Sequence, residues 1–148
     1  MVIGGVAVVL QGSPRLTRDL DICYSTAADN LARLGGVLVS LGARLREVGE
    51  DLPFVPDERT LRHTQLLTLT TREGDLDLLV DPPGSPGYAA LRRRADVVEL
   101  DGASVRVASL EDLLAMKRAA GRPQDALDVE SLEVARSRSR GRRREPGS

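Results

Sequence analysis

The stretch from Val2 to Ser25, "VIGGVAVVLQGSPRLTRDLDICYS", decides how the chain is read. Val2 and Ile3 read as the end of a strand and Gly4-Gly5 as a tight turn. Val6 to Gln11 reads as a short helix stopped by Gly12 and Pro14. Asp19 to Tyr24 alternates charged and apolar residues, the period of a strand with one distinctive face. Asp19 and Asp21 stand at i and i+2, so both carboxylates leave that face with Cα atoms about 6.6 Å apart. Such a pair can converge on one divalent ion, or on two ions about 3.5–4 Å apart. Unpaired carboxylates about 4 Å apart repel by about 4 kcal/mol at an effective dielectric near 20, so a cation is expected between them. Hard oxygen ligands favour Mg²⁺ or Mn²⁺. The alternative is a sheet with one wet face whose acids are merely solvated, although Asp is a poor strand former.

The glycines bear on the same site. A strand, two glycines and a helix start leave backbone N–H groups able to face an anion. A triphosphate held there would lie beside the ion. The "GGVAVV" spacing is not the dinucleotide fingerprint, and a purely conformational role for Gly4 and Gly5 is the competing reading. A second acidic strand, "GDLDLLVD" at 74–81, offers Asp75 and Asp77, again at i and i+2. Leu76, Leu78 and Leu79 enclose Asp77, which makes it the favoured third carboxylate. Asp75 follows Gly74 and reads as part of a turn.

The remaining elements follow from local signals. Thr26 and Asp29 suggest a capping box. Leu31, Leu34, Leu38 and Leu41 repeat at helical spacing until Gly42. Gly35-Gly36 within that helix is unfavourable by about 1 kcal/mol per residue, which implies a close neighbour. Residues 49–60 read as a loop. "QLLTLTT" (65–71) and "DLDLLVD" (75–81) form a predicted hairpin, as do "DVVEL" and "SVRVA" around Asp101-Gly102. "SPGYAALRRRA" is a short helix. Ser109 opens another, closed by Gly121, and Pro123 starts the last. Helices mixed with hairpins and crossovers indicate an α/β (α+β) fold.

Bulk composition narrows the class. The 148 residues are 41% apolar and 29% charged, as in an ordinary globular domain, with only three aromatics (Tyr24, Phe54, Tyr88). A single cysteine, Cys23, excludes an internal disulfide and reads as a small core residue. No apolar run is long enough for a membrane span and no basic segment precedes Val6–Leu10, so no membrane partner and a cytoplasmic location are expected. His63 lacks partners at metal spacing, so zinc is not expected. Residues 136–148 hold six arginines against one glutamate, leaving the rest of the chain net acidic. The domain is expected to span 1–135, followed by a disordered Arg/Ser/Gly tail that could meet RNA or simply be solvated. Arg92, Arg93 and Arg94 read as a solvated helix face or an acceptor-binding patch.

Together, "IGG", thirteen residues, "DLD" and a later isolated "LDLL" resemble the nucleotidyltransferase (polymerase-beta-like) superfamily. "GSPRLTRDLDI" with "LEDLLAMKRAAGRPQDALD" is similar to the small bacterial AbiEii-related nucleotidyltransferases of toxin–antitoxin systems. The resemblance runs from residue 2 to about 135. It implies a mixed sheet flanked by helices, Mg²⁺ (or Mn²⁺) and NTP binding, and transfer of an NMP group to an acceptor: RNA, a cognate toxin or antitoxin protein, or a small molecule. The superfamily also contains inactive members that only bind a nucleotide or partner. Carried over by position, Asp19, Asp21 and Asp77 would ligate metal, and Gly4 and Gly5 would cradle phosphates. Arg15 and Thr17 fall in the "R-x-T-x-D-x-D" pattern and would contact nucleotide. Members of the group carry a helix and a longer strand ahead of "IGG", so the first strand here is expected to be clipped.

Lys117 stands out without that resemblance. It continues the apolar stripe of Leu110, Leu113 and Leu114, so its amine is aimed inward and needs an anion, or else snorkels to water. The family pattern "K-x4-R-x2-D-x2-D" makes it phosphate-facing and adds Arg122, Asp125 and Asp128. Asp125 would equally serve as an acid at a helix N-terminus.

Overall fold

The two acidic stretches become neighbouring strands. In a computed structural model that describes residues 1–48 and 52–142, Asp19–Cys23 (β2) pairs in parallel with Gly74–Leu79 (β5). The register sets Asp19 beside Asp75 and Asp21 beside Asp77. Successive side chains of a strand alternate between faces, so all four acids share one face while Ile22, Leu76 and Leu78 share the other. Val2–Ile3 (β1) lies antiparallel on the far side of β2, with Ile3 opposite Asp21. Arg44–Leu45 (β3), Leu66–Thr71 (β4), Asp96–Leu100 (β6) and Ala103–Val107 (β7) complete a seven-stranded mixed sheet in the order β3-β4-β5-β2-β1-β7-β6.

Helices cover both faces. Ala28–Ser40 (α2) and Glu58–His63 (α3) place Leu31, Leu38 and Leu61 over Leu67, Leu69 and Leu78. Gly4–Leu10 (α1), Tyr88–Arg94 (α4), Leu110–Ala120 (α5) and Pro123–Arg142 (α6) close the second core, around Val8, Cys23, Leu91, Val107, Leu114 and Leu132. These aliphatic side chains are almost wholly buried. At roughly 1.5–3 kcal/mol for each fully buried Leu or Val, they hold the fold with few aromatics. The start of α1 lies against Asp21 on the acidic face, and Asp19, Asp21 and Asp77 line a cleft there.

Both hairpins form as the sequence predicts. Asp101 and Gly102 adopt the positive φ values, 47° and 81°, that a tight Asp-Gly turn requires. The Ser109 hydroxyl accepts the Asp112 N–H at 3.2 Å to start α5, and Gly121 ends it at φ 64°. Several boundaries move. Gly4 and Gly5 are the first turn of α1 rather than a separate turn, so that helix begins two residues before Val6. No Thr26 capping box forms: α2 starts after Ala27 with no side-chain cap, and Ser25 organises the entry by accepting the Ala27 N–H and the Asn30 amide. The loop expected over 49–60 gives way to α3 at Glu58, capped by Asp57 accepting from the Thr60 N–H at 2.7 Å; residues 49–51 lie outside the described residues. Gly35 has the expected close neighbour, since a Cβ there would sit 2.6 Å from the Pro56 carbonyl oxygen, but Gly36 faces open space. Helix α6 continues to Arg142, into the stretch expected to be a disordered tail, with Arg136 paired to Glu111 at 3.4 Å. Residues 143–148 lie outside the described residues. No described helix is long and apolar enough to cross a membrane.

Candidate active site

Asp19, Asp21 and Asp77 line a cleft of about 210 Å³ together with Gly4, Gly5, Arg15, Thr17, Lys117 and Arg122. These nine candidates thus reach one cavity, although they come from β2, β5, α1, the loop after α1, and the α5–α6 corner; Asp125 lines it too, while Asp128 does not. Asp75 does not line the cleft. Its Oδ1 accepts from Thr70 Oγ1 at 3.0 Å on the neighbouring strand.

Asp21 lies against the start of α1, where the Gly5 N–H donates to its carboxylate. Gly4 has φ 65°, and a Cβ on it would come within 2.6 Å of Asp21 Cγ. A Cβ on Gly5 would come within 2.7 Å of Thr17 Oγ1 and 2.8 Å of Arg15 Nη1. The glycine pair therefore lets the helix start close over the acid and over the basic loop. Burial pushes the Asp21 carboxyl above the ordinary Asp range, and the Asp77 charge adds to this. The Lys117 ammonium and the Gly5 N–H act in the other direction. Burial also raises Asp77, with Asp19 and Asp75 contributing, against the lowering effect of Arg46.

Arg46, which the sequence did not single out, enters here. It follows β3 at the sheet edge, where its N–H donates to the Thr68 carbonyl at 2.9 Å. Its Nη2 donates to Asp77 Oδ1 at 2.8 Å and to the Leu69 carbonyl at 2.9 Å. Nε stands 3.6 Å from Asp75 and Nη1 3.9 Å from Asp19. A guanidinium thus occupies the position among the acids where charge balance calls for a cation. Among the described residues no three Asp, Glu, His or Cys side chains are gathered closely enough to hold a metal ion in this conformation. The donor set nevertheless suits Mg²⁺ or Mn²⁺: oxygen ligands only, three of them lining one cleft, two with carboxyls raised by burial first and by neighbouring carboxylates.

The opposite wall is basic. Lys117 is buried on α5, with Nζ 3.0 Å from Asp125 Oδ1 and 2.9 Å from Asp128 Oδ2 on α6. Asp128 also pairs with Arg15 at 2.9 Å, and Asp125 with Arg122 Nε at 2.7 Å. Asp125 further accepts the Arg122 N–H at 3.1 Å, so it caps the start of α6 as well as holding the two cations. Burial works to raise its carboxyl, but hydrogen bonds from Arg122 and Lys117 and the Lys117 charge outweigh it and bring the pKa down to about 2. Three cations face two acids, a surplus of positive charge across the cleft from Asp19, Asp21 and Asp77. Arg15 Nε is buried without a hydrogen-bond partner.

Between these walls lies an apolar strip of Ile3, Leu79, Pro82, Pro83, Leu113 and Met116 that the sequence did not flag. The Pro82-Pro83 signal was present, but nothing local shows which helix the loop meets. Gly84 packs that loop onto α5, since a Cβ there would come within 2.6 Å of the Ala115 carbonyl oxygen. Cys23 is fully buried, its thiol pushed up to about 11 by burial first, and it is core. His63 closes α3 away from the cleft. Arg94 pairs with Asp112, while Arg92 and Arg93 are exposed.

No protein-family model and no curated protein matches the sequence. Among solved structures, the fold is similar to that of the lincosamide antibiotic adenylyltransferase LnuA determined with lincomycin bound. The TM-score is 0.57 at 18% identity, covering 89% of this chain and 84% of that one. The mixed seven-stranded sheet with its six described helices is a nucleotidyltransferase-like fold.

Proposed function

We propose that the protein is a divalent-metal-dependent nucleotidyltransferase that moves an NMP group from an NTP to an acceptor. The observation that carries this reading is one cleft lined both by Asp19, Asp21 and Asp77 and by Lys117, Arg15 and Arg122. Mg²⁺ (or Mn²⁺) held by Asp19, Asp21 and Asp77 would supply Lewis-acid stabilisation of the phosphoryl charge. The chain's own groups account for the rest. Lys117 and Arg122 offset triphosphate charge, and Arg15 and Thr17 orient the nucleotide beside the glycine turn. Gly4 and Gly5 would line the phosphate side of the cleft, where the missing Cβ atoms let the start of α1 close over Asp21, Thr17 and Arg15. Asp77, raised by burial, is suited to accept the acceptor's proton. The apolar strip would take the base or an apolar acceptor.

LnuA is a lincosamide antibiotic adenylyltransferase, which favours a small molecule as acceptor. RNA and a cognate toxin or antitoxin protein are the other acceptor classes, the latter in keeping with the AbiEii-like sequence pattern. Incubation with each α-labelled NTP, Mg²⁺ and these three acceptor classes tests the reading. Label transfer that disappears in Asp19→Asn and Asp21→Asn supports it; no transfer to any class, with NTP binding unaffected by those variants, refutes it. The Arg46–Asp77 ion pair favours a second reading, a catalytically degenerate protein that binds nucleotide or a partner. Titration calorimetry separates the two, since a degenerate binder takes NTP equally with and without Mg²⁺ and releases no pyrophosphate.

A further inference from the structure

We infer that Arg46 is a positioning residue that stands in for the divalent ion at the Asp77 carboxylate and withdraws toward Asp75 when the ion loads. The inference rests on the metal-site reading of Asp19, Asp21 and Asp77 proposed above.

Three features of the geometry carry it. First, the guanidinium divides the acids. It hydrogen-bonds Asp77 at 2.8 Å and approaches Asp19 and Asp75, while Asp21, beside Asp77 on the neighbouring strand, takes the Gly5 N–H at the start of α1 instead. With Arg46 on Asp77, no three acids among the described residues are gathered closely enough to hold an ion.

Second, Arg46 is tethered in a way that survives release of Asp77. Its backbone is fixed to Thr68 and its Nη2 to the Leu69 carbonyl, both on β4. Nε is buried without a hydrogen-bond partner and lies 3.6 Å from Asp75 Oδ2. Thr70 holds the other oxygen of Asp75, so Oδ2 remains available to the guanidinium. A small rotation toward Asp75 would give Nε the bond it lacks and free Asp77 Oδ1. A planar guanidinium with five donors makes this exchange without leaving its charge unpaired.

Third, the exchange assigns separate tasks to the two acids of "DLD" on β5. Asp77 lines the cleft and would ligate the ion; Asp75 lies outside it and would keep the displaced arginine close. Strand alternation puts both on one face, as each task requires.

The test measures Mn²⁺ alone, by the electron paramagnetic resonance signal of the free ion, on the full chain and its variants. Arg46→Gln should bind Mn²⁺ at least tenfold more tightly than the parent, and Asp77→Asn at least tenfold more weakly. Without metal, the melting temperature of Arg46→Gln should fall, and Mn²⁺ should restore it by more than it raises the parent. If Arg46→Gln does not fold, Arg46→Lys, which keeps the charge but not the span, should tighten Mn²⁺ binding severalfold. Unchanged or weaker Mn²⁺ binding in the folded Arg46 variant overturns the inference while leaving the metal site standing. Mn²⁺ binding that is insensitive to Asp77→Asn and Asp21→Asn overturns the metal-site reading itself.

Discussion

Replacing Lys117 by Met tests whether the buried ammonium is the pillar of the basic wall. Lys117 Nζ contacts Asp125 and Asp128 at 3.0 and 2.9 Å with both acids nearly inaccessible to solvent. At an effective dielectric near 20, each contact is worth about 5 kcal/mol of Coulomb attraction, opposed by several kcal/mol for stripping water from the ammonium. Breaking a buried pair from one side costs about 3–5 kcal/mol. Here Asp125 keeps Arg122 and Asp128 keeps Arg15, so the loss should fall at the low end, about 3 kcal/mol. For a chain of this size that is a fall in Tm of about 6–12 °C. The pH dependence gives a second, independent reading. The Asp125 carboxyl, at about 2 when folded against 3.8 ordinarily, adds stability that is complete above about pH 4 and is lost as pH falls toward 2. That contribution is about 2 kcal/mol in the parent and should shrink once the Lys117 hydrogen bond and charge are gone. The deficit of Lys117→Met should therefore narrow in acid, where the parent is left with a buried ammonium facing protonated acids. The chain has no Trp, so urea unfolding is followed by far-ultraviolet circular dichroism between pH 2 and 7. Parent-like stability at pH 7, or a deficit that stays constant with pH, would refute the reasoning.

Gly4→Ala should cost about 1–3 kcal/mol, because φ 65° disfavours a side chain and the Cβ would collide with Asp21. Gly36→Ala, on an exposed and open helix face, should instead stabilise by up to about 1 kcal/mol; urea midpoints of the two variants should move in opposite directions. The Cys23 thiol should be inert to Ellman's reagent in the folded protein and titrate as one thiol in denaturant, since burial both shields it and raises its pKa to about 11. Asp75→Asn should weaken Mn²⁺ binding less than Asp77→Asn, because only Asp77 lines the cleft; equal losses in the resonance titration would make Asp75 a ligand as well.

What could be read in advance was whatever the chain encodes locally. Alternation in "DLDIC" and "GDLDLL" fixed which face carries acid, and the helical stripe of α5 fixed that Lys117 points inward. Neither depends on knowing a partner, because side-chain direction follows from backbone period alone. The boundaries that moved did so where tertiary contact overrides local composition. Gly4-Gly5 looks like a turn by itself, but in the fold Asp21 from the next strand takes the Gly5 N–H, where the helix begins. The arginine-rich stretch looks solvated by composition, yet Arg is a good helix former, and Glu111 on α5 gives Arg136 a partner that only the folded α5–α6 pair provides.

Arg46 marks the sharper boundary between what sequence can and cannot show. Two carboxylates on one strand face demand a cation, and that demand is local, but nothing in "GARLREV" separates Arg46 from Arg44, which shares its parity. The distinction arises from a two-residue edge strand whose pairing with β4 carries Arg46 over Asp77. The guanidinium and a divalent ion answer the same demand, yet one guanidinium cannot meet it. Arg46 reaches Asp19, Asp75 and Asp77, and burial first, with neighbouring carboxylates, keeps the carboxyls of Asp21 and Asp77 raised with Arg46 in place. A divalent ion would meet that demand at the carboxylates the guanidinium vacates, and Arg46 is the residue whose displacement would set its affinity.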